Sequence, residues 1–138
     1  MIKKILVPVD GSDGSDKSIE YAISLAKTYK AKLNFLYVAN VNQLAINAEL
    51  THAIMGAMRA AGAAILERAG NMVPPGVEFE QIMETGSPAS VILEYEEILD
   101  ADLIVMGSRG LGVVKGVLLG SVSQYIIERA KGPVLVVK

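Results

Sequence analysis

Gly107-Ser108-Arg109-Gly110, followed after nine residues by Gly120-Ser121, is the stretch of this chain best suited to hold an anion. Glycine lacks a Cβ, so main chain can approach phosphate oxygens closely. It also accepts left-handed dihedrals that turn successive amides toward one charge. Gly120-Ser121 opens an expected helix, whose first amides are unpaired and carry partial positive charge. Gly120, Ser121 and Val122 would complete a phosphate cradle begun at Gly107, beside Met106. Arg109 would add two parallel hydrogen bonds to a phosphate, or stand solvated in the loop. The glycines alone are also compatible with a loop that only turns the chain.

Asp10, before Gly11-Ser12, ends the first apolar run with a short carboxylate. It suits the hydroxyl pair of a ribose or a share in a magnesium ion, and it suits equally a turn or helix cap, a frequent role for aspartate before glycine and serine. An anion cradle at a neighbouring strand end favours ribose, since a carboxylate aimed at bare phosphates is repelled. Better-known phosphate loops do not fit. No Gly-Lys-Ser/Thr closes the run, and in Gly110-Leu111-Gly112 the last glycine of a dinucleotide fingerprint is replaced by Lys115.

The elements that must position these residues alternate. Apolar runs at 5–9, 33–38, 77–84, 103–106 and Val134–Val137 read as strands. Ile19, Ala22, Ile23 and Ala26 mark a first helix, with Ser12, Asp13 and Ser15 able to cap it. Residues 47–69 carry an apolar stripe (Leu50, Ala53, Ile54, Ala57, Ala61, Ala64, Ile65) that Gly70 is placed to end. Ser87-Pro88 opens a third helix, buried through Val91, Ile92, Tyr95, Ile98 and Leu99, and 121–130 is a fourth. Three glutamates in 77–84 place that strand at a sheet edge. The expected fold is α/β, a single doubly wound, Rossmann-like parallel sheet of five strands in one domain, 1–138, with ligands beyond the carboxyl ends of the strands.

Composition removes several chemistries. The 138 residues contain no cysteine and one histidine, His52, so disulfides, thiol catalysis and a cysteine or multi-histidine zinc site are excluded. Any metal is then a hard ion carried in by a ligand. A net charge of −2 without long charged blocks, and without basic residues interleaved with aromatics, argues against nucleic acid. No apolar run reaches the length of a membrane span, and Pro8 and Asp10 interrupt the first one short of a signal core. The expectation is a soluble, cytoplasmic protein.

At these residues the chain resembles the nucleotide-binding branch of the universal stress protein family. The signature Gly-x-x-Gly, nine residues, Gly-Ser/Thr is matched by Gly107, Gly110, Gly120 and Ser121. The opening Ile5-Leu6-Val7-Pro8-Val9-Asp10-Gly11-Ser12 and the closing Gly132-Pro133-Val134-Leu135-Val136-Val137 are similar too. The resemblance implies strand order 3-2-1-4-5 and an ATP site. In that site Asp10 holds the ribose, Pro8 and Val9 line the nucleoside side, and the backbone of Val38 meets adenine. Phosphates rest on Gly107, Arg109, Gly110, Gly120, Ser121 and Val122, with magnesium or manganese bridging their oxygens. It also implies a homodimer through Val134–Val137, an apolar edge that would otherwise invite uncontrolled pairing.

Three functions compete on this reading. The first is an ATP-binding stress-response regulator whose nucleotide orders residues 111–119 and so changes the surface shown to a protein partner. The second is a slow ATP hydrolase or phosphotransferase, for which no residue can be assigned as the base that orients water or hydroxyl. The third is a dimeric interaction module with an empty cleft.

Overall fold

Each strand forms from a short run of apolar residues whose alternate side chains leave the sheet on opposite faces. The computed structural model describes residues 1–40, 47–109 and 119–138. Their order is β1 (Lys4–Pro8), α1 (Asp13–Tyr29), β2 (Lys32–Ala39), α2 (Ala48–Met72), β3 (Phe79–Thr85), α3 (Pro88–Leu99), β4 (Leu103–Gly107), α4 (Ser121–Arg129) and β5 (Val134–Val137). All pairings are parallel and the sheet order is β3-β2-β1-β4-β5. Both expectations for the sheet, its parallel winding and its order, are therefore met. The glutamate-bearing strand β3 is an edge, where Lys32 pairs with Glu80 at 2.7 Å.

The alternation along β1 divides the core. Ile5, Val7 and Val9 point to the α1 and α2 side, with Ile19, Ala22, Ala26, Phe35, Leu66 and Ala69. Leu6 points to the α3 and α4 side, with Leu36, Val91, Ile92, Ile104, Met106 and Ile126. Among the described residues no buried side-chain polar atom lacks a partner, and no helix is long and apolar enough to cross a membrane.

The sheet splits at its carboxyl edge. Val9 N donates to Leu36 O, while Asp102 N donates to Lys4 O, so peptide groups alternate along β1 and those of Lys4, Leu6 and Pro8 face β4. Pro8 has no amide hydrogen to give. The β1–β4 register accordingly ends at Leu6↔Ile104, whereas β1–β2 continues to Pro8↔Leu36 and β4–β5 to Gly107↔Val137. This parting falls where the winding reverses, the place at which such sheets hold ligands.

Three helix expectations need correction. Gly70 does not end α2, which continues to Met72 and is capped at Val73. A Cβ on Gly70 would lie 2.6 Å from Gln81 Nε2 and 2.9 Å from the Phe79 ring, so the glycine answers to β3 crossing close by. The buried side of α2 is Gly62, Leu66 and Ala69, while Leu50, Ala53, Ala57, Ala61 and Ala64 are exposed. So many alanines leave the apolar phase of the helix undefined by composition. In α3, Ile98 is exposed and Glu96 is buried instead, its two carboxylate oxygens accepting from Lys131 N and Gly132 N at 3.0 and 3.1 Å.

A second carboxylate fastens the amino end. Asp102 Oδ2 accepts from Lys3 N and Lys4 N at 2.8 and 2.9 Å, and these bonds hold its pKa below the ordinary carboxylate value. A depressed folded pKa stabilises the protein above the unfolded value, about 3.9, and that contribution is lost as pH falls through the folded value. Asp102→Ala removes both of these solvent-exposed bonds and is expected to lower stability by about 1 kcal/mol at neutral pH. The deficit should shrink as pH falls below the ordinary aspartate value, about 3.9, as urea melts across pH will read.

Candidate functional site

In an all-parallel sheet each strand is followed by a helix that runs back, so strand carboxyl ends and helix starts share one edge, where the helix dipoles turn their positive ends. Here that edge holds a cavity of about 440 Å³, within the range of small-molecule sites. Pro8, Val9 and Asp10 reach it from the end of β1, Val38 from β2, and Met106, Gly107 and Arg109 from the end of β4. Gly120, Ser121 and Val122 reach it from the start of α4. Every described residue that the sequence places at the nucleotide site thus lines one cavity. Gly110 and residues 111–118 of the expected switch segment, 111–119, lie outside the described residues.

At the first strand end, Asp10 Oδ1 accepts from Ser12 N at 2.9 Å and Ser12 Oγ at 2.6 Å, and Ser15 Oγ accepts from Asp10 N at 3.2 Å. Ser12 also caps α1, its Oγ accepting from Ser15 N. The turn between them needs Gly11, whose φ is +83°. The turn reading of Asp10 is met, and the residue also lines the cavity.

At the other strand end, β4 and α4 are sewn together. Gly120 N donates to Ser108 O at 2.7 Å, Ser123 Oγ donates to Gly107 O at 2.9 Å, and Ser108 N donates to Val137 O at 2.8 Å. The amide of Gly120 is therefore committed to the chain, a correction to the cradle expected from sequence. The first bond inside α4 runs from Gln124 N to Gly120 O, and the N-cap, being glycine, offers no side chain. Ser121, Val122 and Ser123 amides thus head the helix with no intrahelical acceptor, at the cavity wall. This is the strongest anion-directed feature of the cleft.

Gly107 also has a reason that sequence did not suggest. A Cβ there would stand 3.0 Å from the C and O atoms of Gly14, so the two glycines let α1 start against the end of β4. α2 supplies a wall missed entirely: Met58, Ala61 and Ile65 line the cavity beside Tyr37. The Tyr37 ring lies where a Cβ of Gly62 would be, 2.3 Å from its nearest carbon. Burial, and then the Asp10 carboxylate, raise the Tyr37 phenol above its ordinary pKa. The one cue available was a glycine inside a helix, which often marks close approach.

The cleft is apolar where Val38, Met58, Ile65 and Ile92 face it and polar where Asp10, Arg109 and Ser121 do. That polarity suits a flat apolar group joined to a polar, charged tail. Among the described residues no group of three or more acidic, histidine or cysteine side chains could hold a metal. Asp10 is the one acidic residue on the wall, so a divalent ion there would need ligand oxygens for most of its shell.

Residues 1–138 match the model of the universal stress protein family. A universal stress protein of Methanocaldococcus jannaschii is 37% identical over 141 residues, covering 100% of this chain and 83% of that protein. The universal stress protein YxiE of Bacillus subtilis is 35% identical over 149 residues, covering 100% of each. A solved universal stress protein in complex with cAMP has a TM-score of 0.75 at 28% identity, over 99% of this chain and 96% of that one.

Proposed function

Because the chain belongs to the universal stress protein family, we propose that it is an adenine-nucleotide-binding stress-response regulator, with ATP as its ligand and the nucleotide as a conformational switch. The observation that carries the reading is the cleft: apolar wall, turn-held Asp10 and the α4 amides occupy one cavity at the split between β1 and β4. The base would sit against Val38, the ribose at Asp10, and the phosphates at Ser121, Val122 and Arg109. Magnesium or manganese would enter bound to those phosphates. The relative in complex with cAMP supports the adenine class. The regulator acts in the cytoplasm as a homodimer through Val134–Val137, whose apolar edge is otherwise open to uncontrolled pairing.

Calorimetry with ATP, AMP, cAMP and adenosine tests the reading. Saturable heat is expected with each adenine nucleotide, tightening with phosphate number. At a hundredfold excess of ligand over Kd the protein should gain about 2.7 kcal/mol, seen as a rise in Tm. No heat and no Tm shift with millimolar ATP would overturn it.

A further inference from the structure

The sequence marks Gly120-Ser121 as the anion-facing end of α4, yet one of the two bonds that set this helix against the end of β4 comes from two residues further on. Ser123 is 3% exposed, lines the cavity, and donates its hydroxyl to Gly107 O at 2.9 Å. Having given its one proton to that carbonyl, Ser123 Oγ has none for a ligand. We propose that Ser123 is the positioning residue of the anion end: its hydroxyl fixes the first turn of α4 on the end of β4 and quenches the Gly107 carbonyl that borders the cradle.

Two effects follow if the proton is removed. The half-buried carbonyl loses that donor, and its partial negative charge stands beside the place proposed for the phosphate oxygens. The α4 amides also lose one of the bonds that aim them, leaving Gly120 N to Ser108 O. Both effects act on the charged tail of a ligand and leave the apolar wall of Val38, Met58 and Ile65 as it was. A residue that only stabilised the fold would weaken tail and base binding together.

This inference rests on the nucleotide reading above, and the experiment separates the two. Calorimetry is run with ATP and with adenosine on the natural protein, Ser123→Ala and Ser123→Thr, each with a thermal melt. Ser123→Ala is expected to weaken ATP about tenfold, the equivalent of one lost hydrogen bond of about 1.4 kcal/mol. Adenosine should change less than about twofold, and Ser123→Thr, which keeps the hydroxyl, should bind ATP as the natural protein does. If the natural protein binds adenosine and ATP, but Ser123→Ala shifts both equally or neither, the positioning role is wrong and the nucleotide reading stands. If the natural protein binds neither ligand, the reading falls and the inference with it. Should Ser123→Ala fail to fold, Ser123→Cys, with its weak thiol donor, takes its place under the same criteria.

Discussion

Gly107→Val is expected to abolish detectable ATP binding and to lower stability by about 3 kcal/mol, on the order of 10 °C in Tm. The reason is backbone on two sides. An ideal Cβ at residue 107 lies 3.0 Å from Gly14 C and O and 3.4 Å from Arg109 O, and none of these atoms is the end of a flexible side chain. Relief requires α1 to lift from β4, and α1 carries the Ser12–Ser15 turn that holds Asp10. The same shift disturbs Gly107 O, the acceptor for Ser123. One added isopropyl group therefore reaches both ends of the cleft. Scanning fluorimetry and calorimetry on the purified variant will check it. A variant that melts and binds like the natural protein would show that α1 and β4 yield without strain.

Gly62→Ala comes second, and its sign depends on two opposed quantities. Within an exposed helix the change would gain about 1 kcal/mol in propensity. At this position the new Cβ would lie 2.3 Å from one carbon of the Tyr37 ring and 2.4 Å from another. Overpacking of that kind costs about 1–3 kcal/mol, so a net loss is expected. The ring has α2 on one side and borders the cleft, so its displacement narrows the cavity. ATP affinity should fall about tenfold or more, a change of about 1.4 kcal/mol. Tyr37→Ala in the same chain removes the clash, and the pair should show a coupling of about 1–2 kcal/mol in urea melts. Additive effects would mean that ring and helix do not meet in solution.

How much could be read from the chain follows from where the information lies. Strands such as Ile5-Leu6-Val7 are buried on both faces, so a continuous apolar run was enough to find them, and their alternation with helices set the winding. Asp10, Gly107 and Gly120 could be placed at the cavity from sequence because their positions are local: each sits at an end where a strand stops or a helix starts. What escaped depends on distant contacts. The phase of α2 was hidden by its alanines, and its Met58–Ile65 wall exists only once β2 brings Tyr37 beneath Gly62. Nothing local to Glu96 marks it for burial; its two donors come from the turn at Lys131 and Gly132, 35 and 36 residues on. The spent amide of Gly120 likewise needed Ser108 opposite it.

The imino ring at position 8 leaves a gap that covalent structure itself maintains. Neighbouring strands joined by a full set of rungs leave no room between them. Here the missing rung was never there to break, so the fissure between β1 and β4 stands open at no expense in backbone bonding. The opening is thus written into the chain at one residue, ahead of any ligand.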